Sequence, residues 1–251
     1  LASPAHSARI KDLSSIKGVR SNQLIGFGLV IGLTGTGDSA TNVFFSIQTI
    51  VSMLKRLGVT VPTAEVDQLK FKNIATVIVT AALPAFSKQG DHIDVTVSSL
   101  GDAKSLQGGT LLMTPLKGPD GDIYAIAQGP LSIGGFSVSG AARGVQKNHL
   151  TVGRISNGGQ VEKEIKYDFN AKEEIILALK KTDFTTASRI SKAINDNMKD
   201  SLASMVNGGT IRVKVPELYI KNASSFVTRI ESINVTPDSE AKVIIDERTG
   251  T

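Results

Sequence analysis

The sequence predicts an α+β fold, with a mixed β-sheet domain containing few helices and a smaller β-α-β-α-β layer domain. Three observations lead to this class. Short β-branched or alternating runs, separated by Gly, Pro and Asp, recur through the first 150 residues. Segments with apolar residues at helical spacing are few. Near residue 150 the pattern changes to strands that alternate with helices, which is typical of a small layered domain.

The first half supplies six predicted strands and one helix. A glycine-spaced apolar run at 24–33 indicates a buried strand, and residues 34–39 (TGTGDS) form a loop before a helix at 41–57. Asp38 or Ser39 is expected to cap that helix, and Gly58 to end it. The other strands are predicted at 74–82, 92–98, 110–115 and 123–128, and residues 129–144 are expected to form a strand followed by a mobile loop.

The second half follows an alternating order. The stretch 161–169 (VEKEIKYDF) alternates apolar with charged residues and predicts a strand, and 175–179 predicts a second. Asp183 is a suitable cap for a helix at 184–198. A strand at 211–215, a short helix at 224–233 and a last strand at 241–246 follow. We therefore expect two domains, 1–155 and 156–251, the second possibly truncated at its C-terminal end.

The composition limits the possible functions. Cysteine is absent, which excludes disulfides and thiolate zinc sites, and the longest apolar run is about half the length of a membrane span. The net charge is +5, and residues 1–150 carry 13 Lys/Arg against 9 Asp/Glu. This basic excess suits an acidic protein or an anionic polymer. Nucleic acid is not an expected partner, because basic residues are not clustered and aromatic residues are 5% of the chain.

The motif Gly35-x-Gly37-x-x-Ala40 follows a predicted strand and precedes a predicted helix, as a dinucleotide-binding loop does. Asp38 opposes a phosphate electrostatically, and an acidic residue at the expected strand end is missing. A tight turn with a helix cap is the competing interpretation. A dinucleotide-binding enzyme using this loop remains one alternative function, and a monomeric cell-wall-binding module remains another.

Other constellations do not support catalysis. Ser14 and Lys17 have Ser-x-x-Lys spacing, but the Ser-Asp-Asn and Lys-Thr-Gly motifs that accompany it in penicillin-binding proteins are missing. Asp91, Asp94 and Asp102 lie near strand ends, and solubility explains them more simply than glycoside hydrolysis. The three histidines lack metal-ligand spacing. We predict no catalytic, cofactor-binding or metal-binding residues.

Several short sequence segments, taken together, are more specific than these motifs. The chain resembles the flagellar P-ring proteins of bacteria with an outer membrane, in order and over essentially its whole length. The stretch 98–118 (SSLGDAKSLQGGTLLMTPLKG) is the most specific of the segments that carry this resemblance. The others are 10–13 (IKDL), 18–20 (GVR), 22–30 (NQLIGFGLV), 35–38 (GTGD), 72–75 (KNIA), 152–155 (VGRI) and 183–187 (DFTTA).

The resemblance implies a secreted, non-enzymatic protein of the periplasm, made with a signal peptide. Many copies would form a homo-oligomeric ring at the peptidoglycan layer of the flagellar basal body. With the L-ring protein this ring would act as a bushing for the rod, and a periplasmic chaperone would assist its assembly. Two departures matter: the cysteine pair of many members is missing, and members continue beyond residue 251.

Four basic residues are the predicted rod-facing or assembly residues. Lys72 and Lys104 match basic positions in the family's motifs, and Arg20 and Lys117 come next. Charges screened beyond about 8 Å give a rotating partner a flatter energy profile than close packing does.

Overall fold

The structure is a computed structural model that describes residues 7–39, 72–133, 150–165 and 167–238. The chain divides into two compact units, Ser21–Ile165 and Leu1–Arg20 together with Lys166–Thr251. We call them the barrel unit and the layer unit. The division falls ten residues after the expected boundary at 155/156, and the first twenty residues belong to the second unit. The α+β class is confirmed.

The described elements follow one another in the chain order listed here. They are β1 (Ala8–Arg9), α1 (Ile10–Leu13), β2 (Ser14–Ile16), β3 (Asn22–Ile31), β4 (Ile74–Leu83), β5 (His92–Ser99), β6 (Thr110–Lys117), β7 (Ile123–Pro130), β8 (Val152–Val161), β9 (Glu174–Leu179), α2 (Phe184–Met198), β10 (Ala203–Asn207), β11 (Thr210–Lys214), a 3-10 turn (Glu217–Tyr219), α3 (Ala223–Glu231) and β12 (Asn234–Val235).

The barrel unit is a closed antiparallel barrel in the order β3-β4-β5-β8-β7-β6, with β6 pairing back onto β3. The ladder between β3 and β4 is continuous from Asn22↔Leu83 to Ile31↔Ile74. Alternate side chains point inward and fill the interior, as in other small barrels. These are mainly short aliphatic side chains, among them Val77, Val79, Val95, Val97, Ala125 and Ala127.

Glycines on β3 create room for a neighbouring strand. A Cβ atom on Gly26 would lie 2.9 Å from the Leu116 side chain, and one on Gly28 would lie 3.1 Å from Leu111. Both neighbours belong to β6. The glycine spacing of the apolar run at 24–33 therefore reflects the close approach of β6, which closes the barrel.

Most predicted strands of this unit are found within two residues of their expected ends. The strand predicted over 161–169 is wrong: the strand is β8, which lies upstream and ends at Val161. It crosses the glycine pair at 158–159, and Gly159 pairs with Ile93 of β5 and with Ala127 of β7. Pairing on both sides of β8 outweighs the low strand propensity of its glycines.

The layer unit contains a four-stranded antiparallel sheet in the order β10-β11-β9-β2 and a two-stranded sheet of β1 and β12. Residues from α2 and α3, including Ile190, Ile194, Phe226 and Ile230, are fully or almost fully buried in its core. The predicted α2 is confirmed at 184–198, and the Asp183 carboxylate accepts the Thr186 N–H at 2.6 Å. The 224–233 helix is confirmed as α3, with slightly earlier ends.

Three predicted segments cannot be compared with the structure in full. The helix at 41–57 and the strand at 241–246 lie outside the described residues, as does most of 129–144. Among the described residues, no helix has the length and apolar character needed to cross a bilayer.

Candidate assembly site at one end of the barrel

Three segments meet where β3 ends, β4 begins and β5 ends. They are residues 32–39, 72–73 and 100–109, and we call them the loop cluster. Backbone hydrogen bonds join them in both directions: Gly37 N–H donates to Lys72 O at 2.8 Å, and Lys104 N–H donates to Thr36 O at 2.8 Å. The Thr36 hydroxyl also donates to Ser105 O at 2.8 Å. Residues 32–39 are thus bonded to both neighbouring segments.

Asp38 lies at the centre of the loop cluster, with only 4% of its surface exposed. Its carboxylate accepts the Thr76 N–H at 2.7 Å and the Ala103 N–H at 3.0 Å. Hydrogen bonds from N–H groups to a charged carboxylate are among the stronger ones in proteins. The expected role of Asp38 as a cap concerns a helix outside the described residues. In the structure, Asp38 links the start of β4 to the loop after β5.

Ser39 and Asp102 make a second, more exposed link. The Ser39 N–H donates to Asp102 Oδ1 at 2.8 Å, and the Ser39 hydroxyl donates to Asp102 Oδ2. The hydrogen bond from the Ser39 hydroxyl is the main cause that lowers the pKa of Asp102, with the backbone N–H of Ser39 next. Asp102 is therefore ionised at neutral pH and holds the end of segment 32–39.

Glycines make this packing possible. A Cβ atom on Gly37 would lie 2.8 Å from Lys72 O and from Ile74 N, closer than real Cβ atoms approach backbone. A Cβ atom on Gly101 would lie 2.6 Å from the Asp38 carboxyl carbon. These two glycines let three backbone segments pack around one carboxylate.

The same contacts argue against a phosphate cradle in this loop. A dinucleotide site needs backbone N–H groups that point at the pyrophosphate. Here the N–H groups of Gly35, Gly37, Asp38 and Ser39 already donate to Leu33 O, Lys72 O, Ile74 O and Asp102. The buried Asp38 carboxylate adds a negative charge beside them. The turn interpretation of Gly35-x-Gly37 therefore fits the geometry.

The four predicted basic residues lie in three different places. Lys72 and Lys104 are exposed in the loop cluster, and residues 36–37 bond to both of their backbones. Lys117 ends β6 and pairs with Ile25, so it lies at the opposite end of the barrel. Arg20 belongs to the layer unit. One shared segment therefore links Lys72 and Lys104, and Lys117 lies at the other end of the same unit.

The candidate catalytic groups are not assembled. Asp91 and Asp94 lie at the start of β5, and Asp102 lies beyond its other end, so these carboxylates do not meet. The Ser14 hydroxyl is buried and donates to Ile10 O at 2.9 Å.

Sequence reasoning missed the partners of Asp38. Thr76 and Ala103 contribute backbone N–H groups only, so no side-chain pattern in the sequence indicates that they would receive a carboxylate 38 or 65 residues away.

Comparison with known proteins adds independent information. A family model described as flagellar P-ring protein matches residues 9–251. Named relatives of the same description include those of Nitrobacter winogradskyi, 51% identical over 251 residues, and Syntrophotalea carbinolica, 50% identical over 250 residues. Each alignment covers 100% of this chain, and 66% and 67% of the relative's length, respectively. The Geobacter sulfurreducens relative is 51% identical over 247 residues, with 98% of this chain and 66% of the relative covered. The chain thus spans about two thirds of the length of these relatives.

Proposed function

Because this chain belongs to the flagellar P-ring protein family, we propose that it is a structural subunit of the P ring in the bacterial flagellar basal body. It has no enzymatic role in this proposal. Many copies assemble into a periplasmic ring around the rod at the peptidoglycan layer, and with the L ring this ring acts as a bushing. The observation that carries the proposal is the family match over residues 9–251, with about half of all positions identical in relatives.

The geometry of the loop cluster supports a role for Lys72 and Lys104 in this assembly. Both side chains are exposed, and both backbones are bonded to residues 36–37, next to the buried Asp38. These backbone hydrogen bonds fix the positions from which the two exposed lysine side chains extend. Such charges engage an acidic rod or a neighbouring subunit without close packing. Lys117 and Arg20 remain proposed assembly residues with less support, because Lys117 lies at the other end of the barrel and Arg20 belongs to the layer unit.

The proposed partners follow from the proposed function. They are further copies of this chain, the rod, the L-ring protein, peptidoglycan and a periplasmic P-ring chaperone. A closed ring requires two different complementary surfaces on each subunit, because each copy contacts its two neighbours with different faces. The subunit reaches the periplasm through a signal peptide.

The two alternative functions receive less support. A dinucleotide-binding enzyme would need the N–H groups of residues 35–39, and four of these already have protein acceptors. For a monomeric cell-wall-binding module, no feature of the loop cluster favours a monomer over a ring.

Swimming assays in a strain lacking its P-ring gene test the proposal. The full-length, unaltered protein is expected to restore swimming. The double variant Lys72→Glu, Lys104→Glu is expected to reduce the swarm diameter severely, because it reverses two charges on the loop cluster. Its matched control is Lys192→Glu, Lys214→Glu, which makes the same change in net charge at exposed positions of the layer unit. Equal swimming of both double variants, with equal protein levels, would contradict the role of Lys72 and Lys104. Failure of the unaltered protein to restore swimming would contradict the ring function.

A further inference from the structure

The outer surface of the barrel unit is apolar on one side. On β3, β6 and β7 the side chains that point away from the barrel interior are mostly apolar. Phe27 is 64% exposed and Met113 is 69% exposed, while Ile25 and Ile123 are close to half exposed. We call this surface the apolar face, and its members are Ile25, Phe27, Met113, Pro115, Ile123 and Ile126.

Strand pairing makes the apolar face contiguous. Lys117 pairs with Ile25 on one side and with Ile123 on the other, and Pro115 pairs with Ile126. Lys117 is therefore a single charge surrounded by apolar neighbours. The outward side chains of β5 and β8 are mainly polar by contrast, among them His92, Asp94, Thr96 and Arg154. An apolar patch of this kind on one side of a protein marks a contact surface.

The charge of Lys117 is not neutralised within the described part of the chain, where its ammonium group has no ion-pair partner. The two aspartates between β6 and β7 are engaged elsewhere. Asp122 pairs with Lys163, and Asp120 accepts the Tyr124 hydroxyl at 2.6 Å. A partner that covers the apolar face must bring an acceptor for Lys117, because burying an unpaired charge is costly.

The layer unit presents two exposed apolar side chains at its 3-10 turn. Leu218 is 87% exposed and Ile220 is 55% exposed, and we call this pair the apolar tip. Its base is held in place by Tyr219, whose ring packs on the buried Phe226 with ring centroids 5.2 Å apart. The Tyr219 N–H also donates to Pro216 O at 2.8 Å. Apolar side chains on a rigid base lose little conformational entropy on binding, which suits them to anchor a contact.

The charges beside the apolar tip complement those of the apolar face. Glu217 directly precedes the tip, is exposed, and has no ion-pair partner in the described part of the chain. It is the acceptor that Lys117 requires. Lys221 follows the tip, so it can pair with the aspartates between β6 and β7, next to Ile123. Complementary charges of this kind set the orientation of a contact and suppress wrong ones.

We propose that the apolar tip of one copy packs on the apolar face of the next copy, with Glu217 paired to Lys117. The inference rests on the proposed function and identifies the two surfaces through which neighbouring copies meet. Because these surfaces differ, the contact is head-to-tail, and each copy has one tip and one face for its two neighbours, as a closed ring requires. The contact is small compared with stable interfaces, so an isolated pair is weak and ring closure stabilises it.

Disulfide cross-linking in purified basal bodies tests the contact, since these 251 residues contain no cysteine. The full-length double variant Met113→Cys, Leu218→Cys places one thiol on each surface. Mild oxidation is expected to link neighbouring copies into a ladder of multimers on a non-reducing gel, because the tip and the face meet within reach of a disulfide. The control Thr96→Cys, Leu218→Cys moves one thiol to the polar side of the barrel and is expected to give no ladder, as is Leu218→Cys alone.

An exchange of charges tests the ion pair. Lys117→Glu and Glu217→Lys each place like charges across the contact, so each is expected to lower the fraction of basal bodies that carry the ring about fivefold or more. The double variant Lys117→Glu, Glu217→Lys restores an ion pair of reversed sign and is expected to recover most rings. Its control is Lys117→Glu, Glu173→Lys, which has the same net charge but changes an exposed glutamate elsewhere in the layer unit, and it is expected not to recover them.

Two outcomes would overturn the assignment: rings in which the cysteine pair gives no ladder, or a charge exchange that recovers rings no better than its control. Leu218→Asp, at a position too exposed to affect folding, is expected to reduce ring formation. If it does so while the cysteine pair gives no ladder, another protein covers the tip, and the contact between copies is wrong. If rings form with the unaltered protein and these tests fail, only this assignment is wrong; if the unaltered protein forms no ring, the proposed function is wrong.

Discussion

At the residue scale, Asp38 connects three stretches of chain that are far apart in sequence. Its carboxylate receives N–H groups from Thr76 and Ala103, and Gly101 packs against it without a side chain of its own. A carboxylate is suited to this position because both of its oxygens accept hydrogen bonds. The residue thereby fixes segment 32–39, to which the backbones of Lys72 and Lys104 are hydrogen-bonded.

Replacing Asp38 with Asn keeps the shape and removes one acceptor. One of the two backbone N–H groups then faces an NH₂ group, so we expect a loss of about 1–3 kcal/mol in the free energy of unfolding. Urea denaturation of the full-length protein measures this. The control is Ser105→Ala, which removes a buried hydroxyl in the same loop cluster that accepts a single N–H, from Gln107 at 3.1 Å. Asp38→Asn is expected to cost more than this control, and an equal or smaller loss would contradict the central role of Asp38.

At the element scale, the edge strand β10 is protected by the helix that precedes it. The Asn195 side chain in α2 accepts the Ala203 N–H at 2.7 Å and donates to Ala203 O at 2.9 Å. The Ser191 hydroxyl donates to the same carbonyl at 2.9 Å. Among the described strands, β10 has a neighbour on one side only. On its other side the amide of Asn195 occupies the hydrogen-bonding groups of Ala203, which blocks the pairing of another chain there.

The variant Asn195→Ala is expected to lower the free energy of unfolding by about 1–3 kcal/mol, because it leaves the Ala203 N–H without this acceptor. Asn197→Ala is the matched control, because Asn197 is exposed and lies two residues further along the same helix. The substitution removes the same side-chain atoms. Thermal unfolding of both variants distinguishes the two positions. Equal stability of the variants would show that the amide of Asn195 does not protect the strand.

The strands could be predicted from sequence where their apolar and polar residues follow a regular pattern. The alternation at 92–98 and the charge-free run at 74–82 locate β5 and β4, because each side chain there is either inside or outside the barrel. β8 has no such pattern, because its central residues are Asn157 and two glycines. Its position depends on two neighbouring strands that are distant in sequence. The pairing of β3 with β6, which closes the barrel, is equally non-local. The glycines of β3 indicate that another strand approaches closely, but the sequence does not identify that strand as β6.

The loop cluster was predictable only in part. The sequence identifies a turn rich in glycine with a polar residue at its end, and the resemblance to a family identifies Lys72 and Lys104. It does not indicate that residues 36–37 bond to both lysine backbones, because those bonds involve only N–H and C=O groups that every residue carries. For the same reason, the position of Lys117 at the other end of the barrel emerges only from the fold.

At the scale of the whole molecule, the chain forms two units that do not follow each other simply in sequence. The first twenty residues join the layer unit, where β2 pairs with β9 and β1 pairs with β12. A change of sequence pattern near residue 150 does not reveal that residues 1–20 belong to the second unit, because such a pattern depends only on residues that are neighbours in the sequence. Along the sequence, the barrel unit, Ser21–Ile165, thus lies between the two parts of the layer unit.

Electron microscopy of basal bodies tests the ring assignment most directly. Basal bodies are purified from a strain whose own P-ring gene is replaced by the full-length gene of this protein, and their ring composition is imaged. We expect a ring at the peptidoglycan level in which this protein is detected, and no such ring when the gene is deleted. Basal bodies without that ring, although the protein is exported and folded, would show that the ring assignment is wrong.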